Sequence, residues 1–156
     1  MVRIDIPGRT VYEITDLVCD VNGTLALDGK LLSGIELALE ELKPLLTIHM
    51  LTADTHGRQK EHARALGIDS HILVRGGEAE QKAAFIHSLG SAQTAAIGQG
   101  ANDALMLKEA ALGICVLSGE GTAVEAMINA DIVVPDIFNG LALFSHPQRL
   151  VATLRK

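Results

Sequence analysis

The stretch Ala95-Ala96-Ile97-Gly98-Gln99-Gly100-Ala101-Asn102-Asp103-Ala104-Leu105-Met106-Leu107 carries an apolar run into a Gly-x-Gly turn and then into an Asn-Asp helix start. Such a strand–turn–helix junction belongs to sheets in which polar residues just past the strand ends face a ligand. It is not a dinucleotide fingerprint, because the third glycine of Gly-x-Gly-x-x-Gly would fall on Asp103. Asp103 is instead placed to help hold a divalent cation, and Mg²⁺ needs only one or two carboxylates besides carbonyls, waters and substrate oxygens.

Working outward, the same rhythm recurs. Leu17–Cys19, Leu46–Leu51, Ile72–Val74, Ala95–Gly98, Gly113–Leu117 and Ile132–Val134 read as strands. Ile35–Leu42, Gly57–Leu66, Ala79–Leu89, Asp103–Ala110, Ala123–Ile128 and a last segment within Leu141–Leu154 carry apolar residues at helical spacings. Alternation of this kind predicts a three-layer α/β domain, a Rossmann-like parallel sheet flanked by helices. Ile4–Asp16 reads as an extended pair or edge hairpin ahead of the first central strand.

Length and composition agree. A chain of 156 residues with 48% apolar content predicts one domain over 1–156, and three Phe, one Tyr and no Trp leave a core of aliphatic side chains. The net charge of −6, with no basic run, opposes nucleic-acid binding. No segment approaches the ~20 apolar residues of a membrane helix, and the start lacks a signal-peptide pattern, so the expectation is a soluble, cytoplasmic protein. Cys19 and Cys115 sit in apolar runs and read as inert buried thiols. The histidines (His49, His56, His62, His71, His87, His146) form no HExxH or nucleophile-elbow context and read as surface or strand-buried residues.

Two further strand ends and one helix start carry chemistry. Leu17-Val18-Cys19 delivers Asp20 onto the turn Val21-Asn22-Gly23-Thr24. A carboxylate there can attack phosphorus and form an acyl phosphate, dividing one hard displacement into two; Asp-x-x-Gly is equally a common turn. Ile48-His49-Met50-Leu51 delivers Thr52, followed by Ala53 and Asp54. The Thr52 hydroxyl and the adjacent amide suit a phosphate oxygen, although Thr52 or Asp54 would also serve to cap the next helix. Lys82, early in an Ala-rich helix, can neutralise charge on a transferring phosphoryl group or be an ordinary surface lysine. Glu78 and Glu80 read as helix-start acids favoured by the dipole.

In this order, the four segments from Val18 to Val134 resemble the haloacid-dehalogenase-like (HAD-like) superfamily. The wording is most similar to the phosphorylation domain of P-type ATPases: Asp20 heading Asp-x-x-Gly-Thr, Leu51-Thr52-Ala53-Asp54, and Gly98-Gln99-Gly100-Ala101-Asn102-Asp103-Ala104. A chain without membrane helices corresponds to soluble, stand-alone relatives of that domain. Only 31 residues (21 to 51) separate Asp20 from Thr52 and 29 (53 to 81) separate Thr52 from Lys82, leaving no room for the caps of many members. The site is expected to be open and capless. Thr24–Ser33, with Asp28-Gly29 at a hairpin turn, resembles the small flap after the nucleophile.

The resemblance implies an Mg²⁺-dependent phosphohydrolase working through an aspartyl phosphate. Asp20, Asn22, Thr52 and Lys82 would be catalytic; Val21, Thr52, Ala53, Lys82 and Asn102 would bind phosphate; Asp20, Asn22, Gln99 and Asp103 would serve the metal. The substrate would be a phosphorylated small molecule or phosphoprotein, and open members imply a homo-oligomer in which a neighbouring subunit closes the site. Two positions depart from the pattern. Asn22 stands where phosphatases of the family carry an Asp as general acid and base, a role worth ~10²–10⁴ in rate, while its backbone carbonyl keeps the metal role. Gln99 stands where an Asp is usual, which weakens metal binding. The expectation is slow turnover, against an alternative binding or regulatory module that keeps the phosphate and metal site without useful catalysis. A response-regulator receiver fits poorly, because Asp20 lies on the first central strand.

Overall fold

A computed structural model describes residues 1–53 and 57–156; Asp54 and His56 lie outside the described residues. The chain opens with an antiparallel hairpin, β1 (Val2–Ile4) and β2 (Tyr12–Ile14), paired Val2 to Ile14. It then enters a six-stranded sheet made of β3 (Asp16–Asp20), β6 (Thr47–Thr52), β7 (Asp69–Ile72), β8 (Thr94–Gly98), β9 (Leu112–Val116) and β10 (Ile132–Val134). The order across the sheet is β10-β9-β8-β3-β6-β7 and every pairing is parallel. A two-stranded flap, β4 (Ala26–Leu27) and β5 (Lys30–Leu31), follows β3. Asp28 and Gly29 both take positive φ, 49° and 74°, the backbone of a tight two-residue hairpin turn.

Period-two alternation divides the core. From β3, Leu17 and Cys19 point to one face, with Ile35 and Leu39 of α1 (Ile35–Glu40), Leu66 of α2 (Gln59–Leu66), Phe144 of α6 (Ile137–Ser145) and Leu154 of α7 (Gln148–Leu154). Val18 points to the other, with Ile86 of α3 (Glu78–Leu89), Met106 of α4 (Ala104–Glu109) and Ala126 of α5 (Val124–Asn129). Both cysteines are free and buried, and burial pushes the Cys19 thiol up to about 12 and that of Cys115 to about 11. Among the described residues no helix is long and apolar enough to cross a membrane.

The expected three-layer sheet is present, with two local corrections. The segment Leu141–Leu154 is two helices, not one. Pro147 lacks a backbone N–H and disfavours helical geometry in His146, which sits at φ −129° and ψ 65°. The strand expected at Ile72–Val74 lies three residues earlier, pairing His49 with Asp69 through Thr52 with Ile72. This is an edge strand, so polar residues are tolerated in it. Val74 is instead held outside the ladder by Gln81, whose side chain bonds both its N–H (2.9 Å) and its carbonyl (2.8 Å).

Candidate active site

Parallel order brings the carboxyl ends of β3, β6 and β8 side by side, and Asp20, Thr52 and Gly98 are their last residues. Beyond Asp20 the chain turns sharply, with the Val21 carbonyl accepting from the N–H groups of Thr24, Leu25 and Ala26 at 2.9–3.2 Å. Gly23 takes φ +79°, a conformation that favours glycine, and a Cβ on it would lie 2.0 Å from the Gln99 side-chain amide nitrogen, which would have to turn away.

Beneath this edge lies a buried charge triad. The Lys82 Nζ donates to Asp20 Oδ1 at 2.7 Å and to Asp103 Oδ1 at 2.6 Å. Lys82 and Asp103 have no exposed surface and Asp20 retains 6%. The second oxygen of Asp103 accepts from the backbone N–H groups of Gln99 (2.9 Å) and Gly100 (2.8 Å), and the second oxygen of Asp20 accepts from the Thr24 hydroxyl at 3.2 Å. A Cβ on Gly98 would fall 2.5 Å from Asp103 Cγ, so this glycine makes room for the carboxylate.

One cation between two anions leaves a net negative charge away from water. Burial, and next the charge of Asp103, therefore push the Asp20 carboxyl up to about 6 despite the opposing pull of Lys82. Burial works against the Lys82 ammonium, but Asp20 and Asp103 outweigh it and hold its pKa above the ordinary value. Lys82 thus stays charged, and proton uptake near pH 6 belongs to Asp20.

Above the triad is a polar cavity of about 280 Å³ lined by Asp20, Asn22, Ala53, Gln99 and Asn102, together with Glu78 and Glu120. The Asn22 side chain donates to Thr52 Oγ1 at 3.4 Å, and the Gln99 carboxamide donates to the Asn22 backbone carbonyl at 3.2 Å. Of the residues singled out from sequence, Asp20, Asn22, Ala53, Gln99 and Asn102 border this space. Thr52, Lys82 and Asp103 are buried behind it, and the Val21 side chain enters the core. The Lys82 ammonium stands between Asp20 and Asp103, and the second Asp103 oxygen accepts from two backbone amides. Glu78 does more than open a helix, since it borders the cavity and accepts from Asn102 at 3.4 Å. Glu120 had no signal in the sequence.

Next to this cavity, across the Gly23-Thr24 turn, lies an apolar hollow of about 230 Å³ under the flap, walled by Leu27, Leu32, Leu117 and Phe138.

No family model matches the sequence. An uncharacterized protein of Methanocaldococcus jannaschii is 50% identical over 60 residues, which take in 38% of this chain and 64% of that protein, under two thirds of its length. Among solved structures, the 3-deoxy-D-manno-octulosonate 8-phosphate phosphatase of Moraxella catarrhalis, in complex with magnesium, phosphate and KDO, superimposes with a TM-score of 0.71 at 19% identity, over 89% of this chain and 90% of that one. The cobalt-bound form of the deoxy-D-mannose-octulosonate 8-phosphate phosphatase from Haemophilus influenzae gives a TM-score of 0.72 at 14% identity, over 92% of this chain and 94% of that one. A zinc-transporting PIB-type ATPase in its E2.Pi state gives 0.64 at 28% identity, over 79% of this chain but 20% of the pump.

Proposed function

We propose that this chain, whose fold is that of the haloacid-dehalogenase-like hydrolases, is a phosphohydrolase that forms an aspartyl phosphate on Asp20. The observation that carries the reading is the buried Asp20–Lys82–Asp103 triad beneath an open polar cavity. Lys82 keeps the nucleophile oriented and its charge balanced, and it lies within hydrogen-bond reach of the atom to which the phosphoryl group would transfer. Asp20 is mostly ionised at neutral pH, as a nucleophile must be. Attack by an Asp20 oxygen forms the acyl phosphate and expels the leaving group; water then cleaves it and regenerates the carboxylate. Thr52, Asn102 and the amides near Val21 and Ala53 would bind phosphoryl oxygens.

A divalent cation fits part of the expected donor set. Asp20, the Asn22 carbonyl and the Gln99 carboxamide oxygen would hold Mg²⁺, the last once the carboxamide is turned end for end from its present bond to Asn22. Asp103, whose oxygens already accept from Lys82 and two amides, would serve the cation through a remaining lone pair or a bridging water. When bound, Mg²⁺ would draw off negative charge from the transferring phosphoryl group. The substrate would be a phosphorylated small molecule or phosphoprotein, taken up without a cap or with a second copy of the chain closing the site.

One observation favours a second reading. The Gln99 side-chain amide donates to the Asn22 carbonyl that a metal would use, which suits a module that binds phosphate without useful turnover. The deciding experiment is hydrolysis of 4-nitrophenyl phosphate with and without Mg²⁺, comparing the native chain with Asp20→Asn and Asn22→Asp. Metal-stimulated release that Asp20→Asn abolishes is the expected result. Absence of release from both native protein and folded Asn22→Asp would sink the phosphatase reading in favour of the binding module.

A further inference from the structure

We infer that Glu120 is the proton donor and acceptor of this site, in the role that Asn22 cannot fill; the inference rests on the phosphohydrolase reading above. A carboxamide holds no transferable proton at neutral pH, and here the Asn22 side chain is turned to Thr52 (3.4 Å). The cavity nevertheless has two carboxylates besides the nucleophile, Glu78 and Glu120.

Their positions differ. Glu78 stands at the start of α3 and accepts from Asn102, on the side expected to bind phosphate. Glu120 comes from the loop after β9 and leans over the Asp20 turn, with Oε2 3.1 Å from where a Cβ on Gly23 would lie. Its other oxygen accepts from the Asp28 N–H in the flap turn at 2.7 Å, which fixes the carboxylate with Oε2 beside Gly23 at the cavity that Asp20 also lines. The same loop separates the two hollows: Ser118 and Gly119 wall the apolar one, and Glu120 borders the polar one. A leaving group lodged under the flap would place its bridging oxygen at that boundary.

The chemistry balances. As an Asp20 oxygen bonds to phosphorus, the ester P–O bond breaks and the departing oxygen takes the proton from the Glu120 carboxylic acid, leaving as a neutral alcohol. The resulting Glu120 carboxylate then removes a proton from water as that water attacks phosphorus. The bond from phosphorus to Asp20 breaks, inorganic phosphate leaves, and Glu120 is again protonated.

Glu120→Gln separates this role from a structural one, because glutamine can still accept the Asp28 N–H and keep the flap fastened. The test measures kcat/KM for phenyl phosphate, whose leaving group needs a proton, and for 4-nitrophenyl phosphate, whose leaving group needs it far less. The expected result is a fall of about 10² or more on phenyl phosphate and a much smaller one on 4-nitrophenyl phosphate, with an unchanged melting temperature. Adding Asn22→Asp to Glu120→Gln restores the lost rate. An equal effect on both substrates, or no effect, overturns the assignment while leaving Asp20 as nucleophile. Turnover that survives Asp20→Asn, or none from either the native chain or folded Asn22→Asp, removes the phosphohydrolase reading and this assignment with it.

Discussion

Replacing Lys82 with methionine keeps most of the side-chain volume and removes the cation that is paired with both Asp20 and Asp103. Lys82 has no exposed surface and its contacts to the two carboxylates are 2.7 and 2.6 Å. Breaking a buried ion pair by removing one partner costs about 3–5 kcal/mol, because the remaining charge stays desolvated. In a domain of this length that amounts to a fall in Tm of about 6–20 °C. The loss should depend on pH, with a definite sign. The Asp20 carboxyl titrates at about 6 in the folded chain against its ordinary 3.8, so the folded state binds the proton more readily. Stability contributed by this group is fully present below pH 3.8 and is lost as pH rises through 6. Without Lys82 the unbalanced negative charge is larger, so the variant's deficit relative to native protein should be greatest at pH 7.5 and shrink by pH 5. Urea unfolding of both proteins at the two pH values provides the measurement, and the native curve subtracts the contributions of other titrating groups. A deficit below about 1 kcal/mol at pH 7.5, or one that is the same at both pH values, would refute the buried-triad argument.

Two further outcomes follow from the same cluster. The aryl phosphatase rate should fall on the acid side through about pH 6 as Asp20 takes up a proton, and Asp103→Asn should move that limb to lower pH by removing a like charge; a move to higher pH would contradict the account. Gly98→Ala places a Cβ 2.5 Å from Asp103 Cγ, so it should cost about 1–3 kcal/mol and lower activity. A variant as stable and active as native protein would show that the close approach is not needed.

Most of the central sheet was legible because strands buried on both faces read as short apolar runs: Leu17–Cys19 and Ala95–Gly98 mark β3 and β8 to within two residues. The edge was not, because β7 is the polar Asp69–Ile72, and the apolar Ile72-Leu73-Val74 beside it drew attention away. Pro147 gave an available signal for the break between α6 and α7 that helical periodicity overrode. Within the site, motif order brought Asp20, Thr52, Lys82 and Asp103 together, but no local pattern told that Lys82 was buried, since Glu78–Leu89 is alanine-rich and weakly patterned. Glu120 left no trace in Ser118-Gly119-Glu120-Gly121, because what brings it over Gly23 is the flap, a contact between distant parts of the chain. The rings of His49, His71 and Phe85 likewise cluster at 4.4–5.9 Å between centroids only through pairing of β6 with β7 and packing of α3.

The place of β3 between β6 and β8 has a consequence for how the protein is made. One flank is supplied by residues 47–52 and the other by residues 94–98, so the strand bearing Asp20 is synthesised early and enclosed late. At a synthesis rate of about 5–20 residues per second, the 78 residues from Val21 to Gly98 take roughly 4–16 s. During that interval Leu17, Val18 and Cys19 have no second neighbour and form an adhesive apolar segment on the nascent chain. The Cys19 thiol, sealed in the finished protein, is open to alkylation until β8 arrives, so its protection in a ribosome-bound chain times the closure of the sheet.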